Sequence, residues 1–314
     1  MTRKCLVTGG TGFIGSHLVE ALLVDGWSVR VLATQCVHVP NLAAVIDQVE
    51  MIEGDFGDKT ITRRALAGVD TLFHYATTTT PATAHSHSGF DVMTNLMGTL
   101  RLLEEAVACD VNHFVFASSG GTVYGPVTET PVPETHTTNP ICSHGIVKLA
   151  LEKYIQLFQR EYGLNYSILR YSNPYGPRQR PDGRQGVVAV FTGRVLDHQP
   201  IEIWGDGSTV RDFICIDDLV CGTLAAAHCK GAINQIMNIG SGTGTSLRDL
   251  VRVIEAVTGL DAIVHFGPAR GFDVPASILS IQRAQYLLNW VPTNSIDDGI
   301  KQVVPWIKGY LAKT

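Results

Sequence analysis

The stretch "VTGGTGFIGSHL", residues 7–18, decides the fold. It sets Gly9, Gly12 and Gly15 in G-x-x-G-x-x-G spacing, directly after a β-branched apolar run and directly before a helical pattern. Glycines there permit a tight turn and a close backbone approach to a pyrophosphate. The phosphate charge then rests on the free N–H groups where the helix begins, at Phe13, Ile14 and Gly15. Strand, loop and helix in this order form the first unit of a dinucleotide-binding domain.

Outward from that unit the same alternation continues. Strand patterns at "KCLVTG" (4–9), "SVRVLA" (28–33), "VEMIEGD" (49–55), "VDTLFHYA" (69–76) and "NHFVFASS" (112–119) alternate with helical patterns at about 12–25, within 90–109 and at about 143–162. Strands apolar on both faces and separated by helices build a parallel sheet covered on both sides, so the fold class is doubly wound α/β of Rossmann type. "YSILRYS" (166–172) is a further strand, after which "NPYGPRQRPDGRQG" becomes dense in Pro, Gly and Arg. That shift marks a smaller C-terminal lobe. Residues 1–172 are therefore assigned to the dinucleotide-binding domain and 173–314 mainly to a substrate lobe. The two interleave, because "RDFICIDDL" (211–219) is again a strand entering a helix and returns about 208–230 to the first domain.

Bulk properties narrow the partners. A net charge of -5 with no Lys/Arg block gives no basis for holding a nucleic acid backbone. No run approaches the roughly 18 apolar residues that span a bilayer. Seven cysteines without a C-x-x-C fit reduced thiols, and a cytoplasmic location is expected. His85 and His87 lack the companions of a zinc set, so no metal is expected. Charged residues make up only 17% of the chain, which favours burial of some surface in a homodimer. Glu104 and Glu105 are expected to be solvated on their helix.

A dinucleotide site usually carries an acid at the end of the second strand for the adenine ribose. Ala33 stands there instead, with no Arg or Lys for a 2'-phosphate, so NAD is favoured while NADP stays open. Asp55 and Phe56, after the third strand, are the alternative contacts for adenine. In "SHGIVK" (143–148), His144 and Lys148 lie four apart and share one helix face.

Together "GGTGFIG", "LFHYA" (72–76), "NLMGTLRLLEEA" (95–106), "FASSGGTVYG" (116–125), "LRYSNPYGPRQ" (169–179), "GDGSTVRDFICIDDL" (205–219), "PARGFDVPAS" (268–277) and "LLNWVPTNSIDDGI" (287–300) resemble the extended short-chain dehydrogenase/reductase family, in its nucleotide-sugar epimerase and dehydratase branch. The resemblance runs nearly the whole chain. It implies that Lys148 holds the nicotinamide ribose and that Tyr75, Ala76, Asn95, Tyr171 and Ser172 line the cofactor. Asn173, Arg211, Arg270 and Asp273 would hold the diphosphate and nucleotide of a nucleoside-diphosphate sugar, with Arg forks suited to phosphate oxygens. The two helices within 90–109 and 143–162 would form the dimer interface.

Two positions depart from the family. His144 stands where a catalytic Tyr is usual, and Gly120 where a Ser or Thr is usual, leaving Ser118, Ser119 and Thr122 as neighbouring hydroxyls. Imidazole, with a reference pKa of roughly 6.5, is mostly unprotonated near neutrality and serves as a base for a sugar hydroxyl. It is shorter than a phenol, so a bridging water, a shifted substrate or another residue must close the gap. Gly121 and Thr122 occupy positions where dehydrating relatives carry acids. Epimerisation through a transient keto-sugar is therefore the leading expectation, with bacterial polysaccharide or O-antigen assembly as its family context. A binding protein that has lost catalysis and an NADPH-dependent reductase or a dehydratase of the same fold are the competing readings.

Overall fold

The computed structural model describes residues 3–79, 81–183, 185–269 and 275–313. Its strands are β1 (Lys4–Thr8), β2 (Ser28–Ala33), β3 (Glu50–Glu53), β4 (Thr71–His74), β5 (His113–Ser119), β6 (Asn165–Tyr171), β7 (Asn173–Tyr175), β8 (Ile201–Trp204), β9 (Val210–Cys215), β10 (Gln235–Ile239), β11 (Gly244–Ser246), β12 (Val264–Gly267) and β13 (Ala276–Ser277). The helices are α1 (Phe13–Val24), α2 (Lys59–Leu66), α3 (Pro81–Ser86), α4 (Ser88–Asp91), α5 (Met97–Ala108), α6 (Ser143–Tyr162), α7 (Val187–Leu196), α8 (Ile216–His228), α9 (Leu247–Thr258), α10 (Gln282–Leu288) and α11 (Ile296–Leu311).

Seven parallel strands form the main sheet in the order β10-β6-β5-β4-β1-β2-β3. The expected doubly wound architecture is what the chain adopts. β1 is buried over four residues and β4 over its whole length, since each face of the sheet carries a helical layer. On one face Leu18, Leu22 and Leu219 pack from α1 and α8. On the other, Leu66, Leu102, Leu103, Leu151 and Ile155 pack from α2, α5 and α6. A third core belongs to the C-terminal part, where Phe191, Phe213, Leu250 and Ile254 meet Ile300, Val303 and Ile307 of α11. There β9 pairs with β7, β11 and β13, while β8 pairs with β12.

Two expectations about the helices are corrected. The long helix within 90–109 is interrupted: a π-helical turn at Val92–Leu96 separates α4 from α5. Glu105 is buried rather than solvated, because its side of α5 faces α2, where Arg63 Nε donates to it at 2.7 Å and Lys59 Nζ lies 3.4 Å away. Glu104 is exposed.

Two buried histidines give the fold a pH signature. His74 bridges Thr8 Oγ1 at 2.7 Å and Thr99 Oγ1 at 2.9 Å, and burial, with the charge of Lys148, pushes its pKa down to about 3. His113 contacts Ser167 Oγ at 2.9 Å and is pushed down by burial to about 4. Both are neutral when folded, whereas the unfolded chain protonates them near pH 6.5. Below that pH the unfolded state binds more protons, so stability falls as pH drops from about 6.5 toward 4. Urea unfolding should show this decline, and His74→Gln, whatever its effect on absolute stability, should make the decline shallower.

Candidate active site

The site is built where strand order reverses, between β1 and β4, the crevice in which open α/β sheets bind ligands. β1 delivers the Gly9–Gly12 loop. Gly9 has φ +72°, and a Cβ there would lie 2.8 Å from the backbone N of Ala76, the residue that follows Tyr75 beyond β4. A Cβ on Gly15 would overlap the carbonyl oxygen of Gly9. Gly9 and Gly15 therefore have no room for side chains. No side chain caps α1 at Gly12, and its first turn holds no acid, so the N–H groups of Phe13, Ile14 and Gly15 start a helix open to an anion. This cradle fits the diphosphate of a dinucleotide.

Around the cradle the expected cofactor residues fall into two groups. Asp55 is exposed, its carboxylate accepting from Gly57 N at 2.7 Å, and Ser172 has a buried Oγ without a hydrogen-bond partner. The other side chains make contacts within the protein. Phe56 is buried against His74, ring centroids 5.2 Å apart, and the Tyr75 and Tyr171 hydroxyls bond each other and Thr223 on α8. Asn95 makes three hydrogen bonds: its Nδ2 donates to Thr79 Oγ1 and Asp91 Oδ1, and its Oδ1 accepts from Thr78 N. The acid missing from β2 has a neighbour in space. Glu53 on β3 is the register partner of Ala33, and its Oε2 accepts from Cys36 N at 3.1 Å, so a carboxylate stands at the end of β2 after all.

α6 brings His144 and Lys148 to the same mouth, one turn apart. Lys148 Nζ donates to Ala117 O at 2.7 Å and lies 4.7 Å from the Phe116 ring centroid. Burial pushes its pKa down to about 8 against the opposing pull of Asp91 and Glu152. Burial and then the Lys148 charge push His144 down to about 4, while Asp91 acts in the other direction. The imidazole is thus neutral across the physiological range, and it makes no hydrogen bond within the described residues.

The loop after β5 faces this pair. Gly145 lets it approach, since a Cβ there would sit 2.6 Å from Thr122 O. Thr122 Oγ1 is buried with no hydrogen-bond partner, and the half-buried Ser119 hydroxyl has none among the described residues. Ser118 is not available, because its Oγ donates to Glu152 Oε1 at 2.5 Å inside the fold. Gly120 is more than a missing hydroxyl. A Cβ there would meet Leu279 Cδ1 at 2.5 Å and Tyr171 O at 3.2 Å, so a leucine that is 1% exposed fills the space.

On the substrate side, Asn173 Nδ2 donates to Asp212 O at 2.9 Å and Arg211 Nη1 to Val210 O at 2.8 Å. Arg270 and Asp273 lie outside the described residues. Asp91 was not foreseeable from local pattern. Fully buried, it accepts from Thr79 Oγ1, Asn95 Nδ2 and Ser143 Oγ, each at 2.8 Å. Burial alone would raise its pKa, but these donors and the nearby His144 hold it below the usual carboxylate value.

Comparison with known proteins agrees with this geometry. The sequence profile of the NAD-dependent epimerase/dehydratase family matches residues 5–240. The chain belongs to the NAD-dependent epimerase/dehydratase family. It is 36% identical over 304 residues to a putative UDP-glucose 4-epimerase of Methanocaldococcus jannaschii, covering 96% of this chain and 98% of the relative. It is 30% identical over 308 residues to an Escherichia coli dTDP-4-dehydro-6-deoxyglucose reductase, covering 96% and 97% of the two chains. Among solved structures, UDP-glucose 4-epimerase from Thermotoga maritima with UDP-glucose superposes with a TM-score of 0.92 at 38% identity, covering 98% of this chain and 99% of the other. NAD is the cofactor of this family, and the open cradle and Lys148 suit it.

Leu279 also predicts what a hydroxyl at position 120 would do. Gly120→Ser should lower stability by about 1–3 kcal/mol in urea unfolding through overpacking. Combining it with Leu279→Ala should recover part of the loss, a departure from additivity that marks direct contact.

Proposed function

We propose that the protein is an NAD-dependent UDP-sugar 4-epimerase in which His144 replaces the usual tyrosine as acid and base. The observation that carries this reading is that α6 sets a neutral imidazole without a hydrogen bond one turn from Lys148, with the backbone of Thr122 packed against Gly145 between them and an open diphosphate cradle at the start of α1. The relatives named for UDP-glucose support the sugar class.

The bound nicotinamide supplies hydride acceptance from the sugar carbon and hydride return to its other face. The protein does the rest. Gly9, Gly12 and Gly15 hold the pyrophosphate of the cofactor, and Lys148 holds the nicotinamide ribose. Asn173 and Arg211, with Arg270 and Asp273, hold the nucleoside diphosphate, so that the sugar can turn while its anchor stays fixed. His144 removes the hydroxyl proton and later returns it, and Thr122 or Ser119 donates a hydrogen bond to the reacting oxygen. Because an imidazole reaches less far than a phenol, that oxygen must sit closer to α6 or be bridged by one water. Phe90, Met93, Met97, Ile141, Ile146 and Tyr154 are exposed around α4 to α6, which supports a homodimer formed through this face.

A second reading follows from the E. coli relative: reduction of a 4-keto sugar nucleotide, with His144 as proton donor. One experiment separates the two. Incubation with NAD and UDP-glucose, UDP-galactose, UDP-glucuronate and their N-acetylated counterparts should interconvert a C4 pair without net NADH formation. His144→Gln should then lower kcat by about 10²–10⁴-fold with little change in UDP-sugar binding. Binding without conversion of any UDP-sugar, together with NADH oxidation by a dTDP-4-keto-6-deoxy sugar, would establish the reductase instead.

A further inference from the structure

The base proposed above occupies an unfavourable place for gaining a proton. His144 is in the first turn of α6, where the helix dipole is positive, and that turn has no acidic residue and no side-chain cap. Lys148 adds a positive charge one turn on. An imidazolium formed there faces both. The protein needs a compensating negative charge, and α6 does not carry it in that turn.

Asp91 lies opposite. It is fully buried at the end of α4, and its Oδ2 accepts from Ser143 Oγ at 2.8 Å, so it is tied to the residue immediately before His144. Its Oδ1 is fixed by Thr79 and by Asn95, in the π-helical turn that interrupts the expected long helix. π-Helical turns are frequent at functional sites, where they redirect side chains. The other ionisable groups around this point do not substitute for Asp91. Glu152, further along α6, is committed to Arg170 of β6 at 2.6 Å, and His74 of β4 is held neutral between two threonines. Among the described residues facing His144 and Lys148, Asp91 is the carboxylate without a cationic partner of its own.

We propose that Asp91 is a positioning residue for proton transfer: tethered to the start of α6 through Ser143, its carboxylate stabilises His144 as an imidazolium once His144 has taken the sugar hydroxyl proton. The inference rests on the reading of His144 as the base. The step balances within the site. The C–H bond breaks with its electron pair transferred as hydride to NAD, the O–H proton passes to His144, and a carbonyl forms. Return of hydride and proton to the keto-sugar reverses each change. Asp91 keeps its charge throughout.

The test compares wild type with Asp91→Asn and Ser143→Ala. The His144 imidazole is followed by side-chain nitrogen NMR, assigned by its loss in His144→Gln, and epimerisation of UDP-glucose is followed against pH. Asp91→Asn should move the His144 titration to lower pH by about one unit. It should also lower kcat by about 10–100-fold with KM nearly unchanged, and move the alkaline limb, set by Lys148, to lower pH. Ser143→Ala should shift the His144 titration in the same direction by less, and it carries the test alone if Asp91→Asn does not fold. Unchanged His144 titrations in the variants that fold would overturn the proposal even if the wild type is an active epimerase. A shifted titration in a protein that converts no UDP-sugar would leave the Asp91 coupling standing and refute the epimerase reading.

Discussion

The buried Glu152–Arg170 pair, 2.6 Å apart, is the interaction on which the site geometry depends. Glu152 is on α6 and Arg170 on β6, and Glu152 also accepts from Ser118 at the end of β5. One carboxylate therefore ties a helix to two adjacent strands. Losing either partner of such a pair strands a buried charge and costs about 3–5 kcal/mol, so the helix has one seating against the sheet. Lys148 is one turn before Glu152 and His144 one turn before that. Their direction into the crevice is set by the same pair. Arg170 also lies over the Tyr124 ring, centroid distance 4.9 Å, and Tyr124 donates to Asn238 on β10. The loop bearing Thr122 is thus held by the same assembly as the helix it faces.

The cofactor side is constrained differently, by exclusion. Gly9 and Gly15 leave no space for a side chain between β1, α1 and the end of β4, so the shape of the cradle is set by backbone. A backbone cradle tolerates little drift, whereas side chains at its margin can be exchanged without moving it. His144 and Gly120, where the resemblance leads one to expect a tyrosine and a hydroxyl, both lie outside the cradle.

Much of this was legible from local pattern. Strand β2 and helix α6 have the bounds that alternation and helical spacing indicate, and the Gly9–Gly15 loop stands between strand and helix as its spacing requires. What escaped the sequence was contact between distant segments. Glu105 looks like any charged position of a surface helix until α2 is laid against it. Glu53 supplies a carboxylate to the end of β2 only because β2 and β3 pair in a register that puts it beside Ala33. Asp91 sits four residues before Asn95, an ordinary interval, and acquires meaning from a π-helical turn and from Ser143, far along the chain. Leu279 gives no local hint that it fills the space beside Gly120.

That last contact has a consequence for how substitutions at the two positions combine. With Leu279 in place, a serine at 120 is crowded; with Gly120 in place, a smaller residue at 279 leaves a hole in the small cluster of Val123, Tyr124 and Val132. Either single substitution gives a less stable protein. The two positions are therefore coupled through packing, so a hydroxyl at 120 calls for a change at 279 as well. Packing, as much as chemistry, holds this end of the site in its present form.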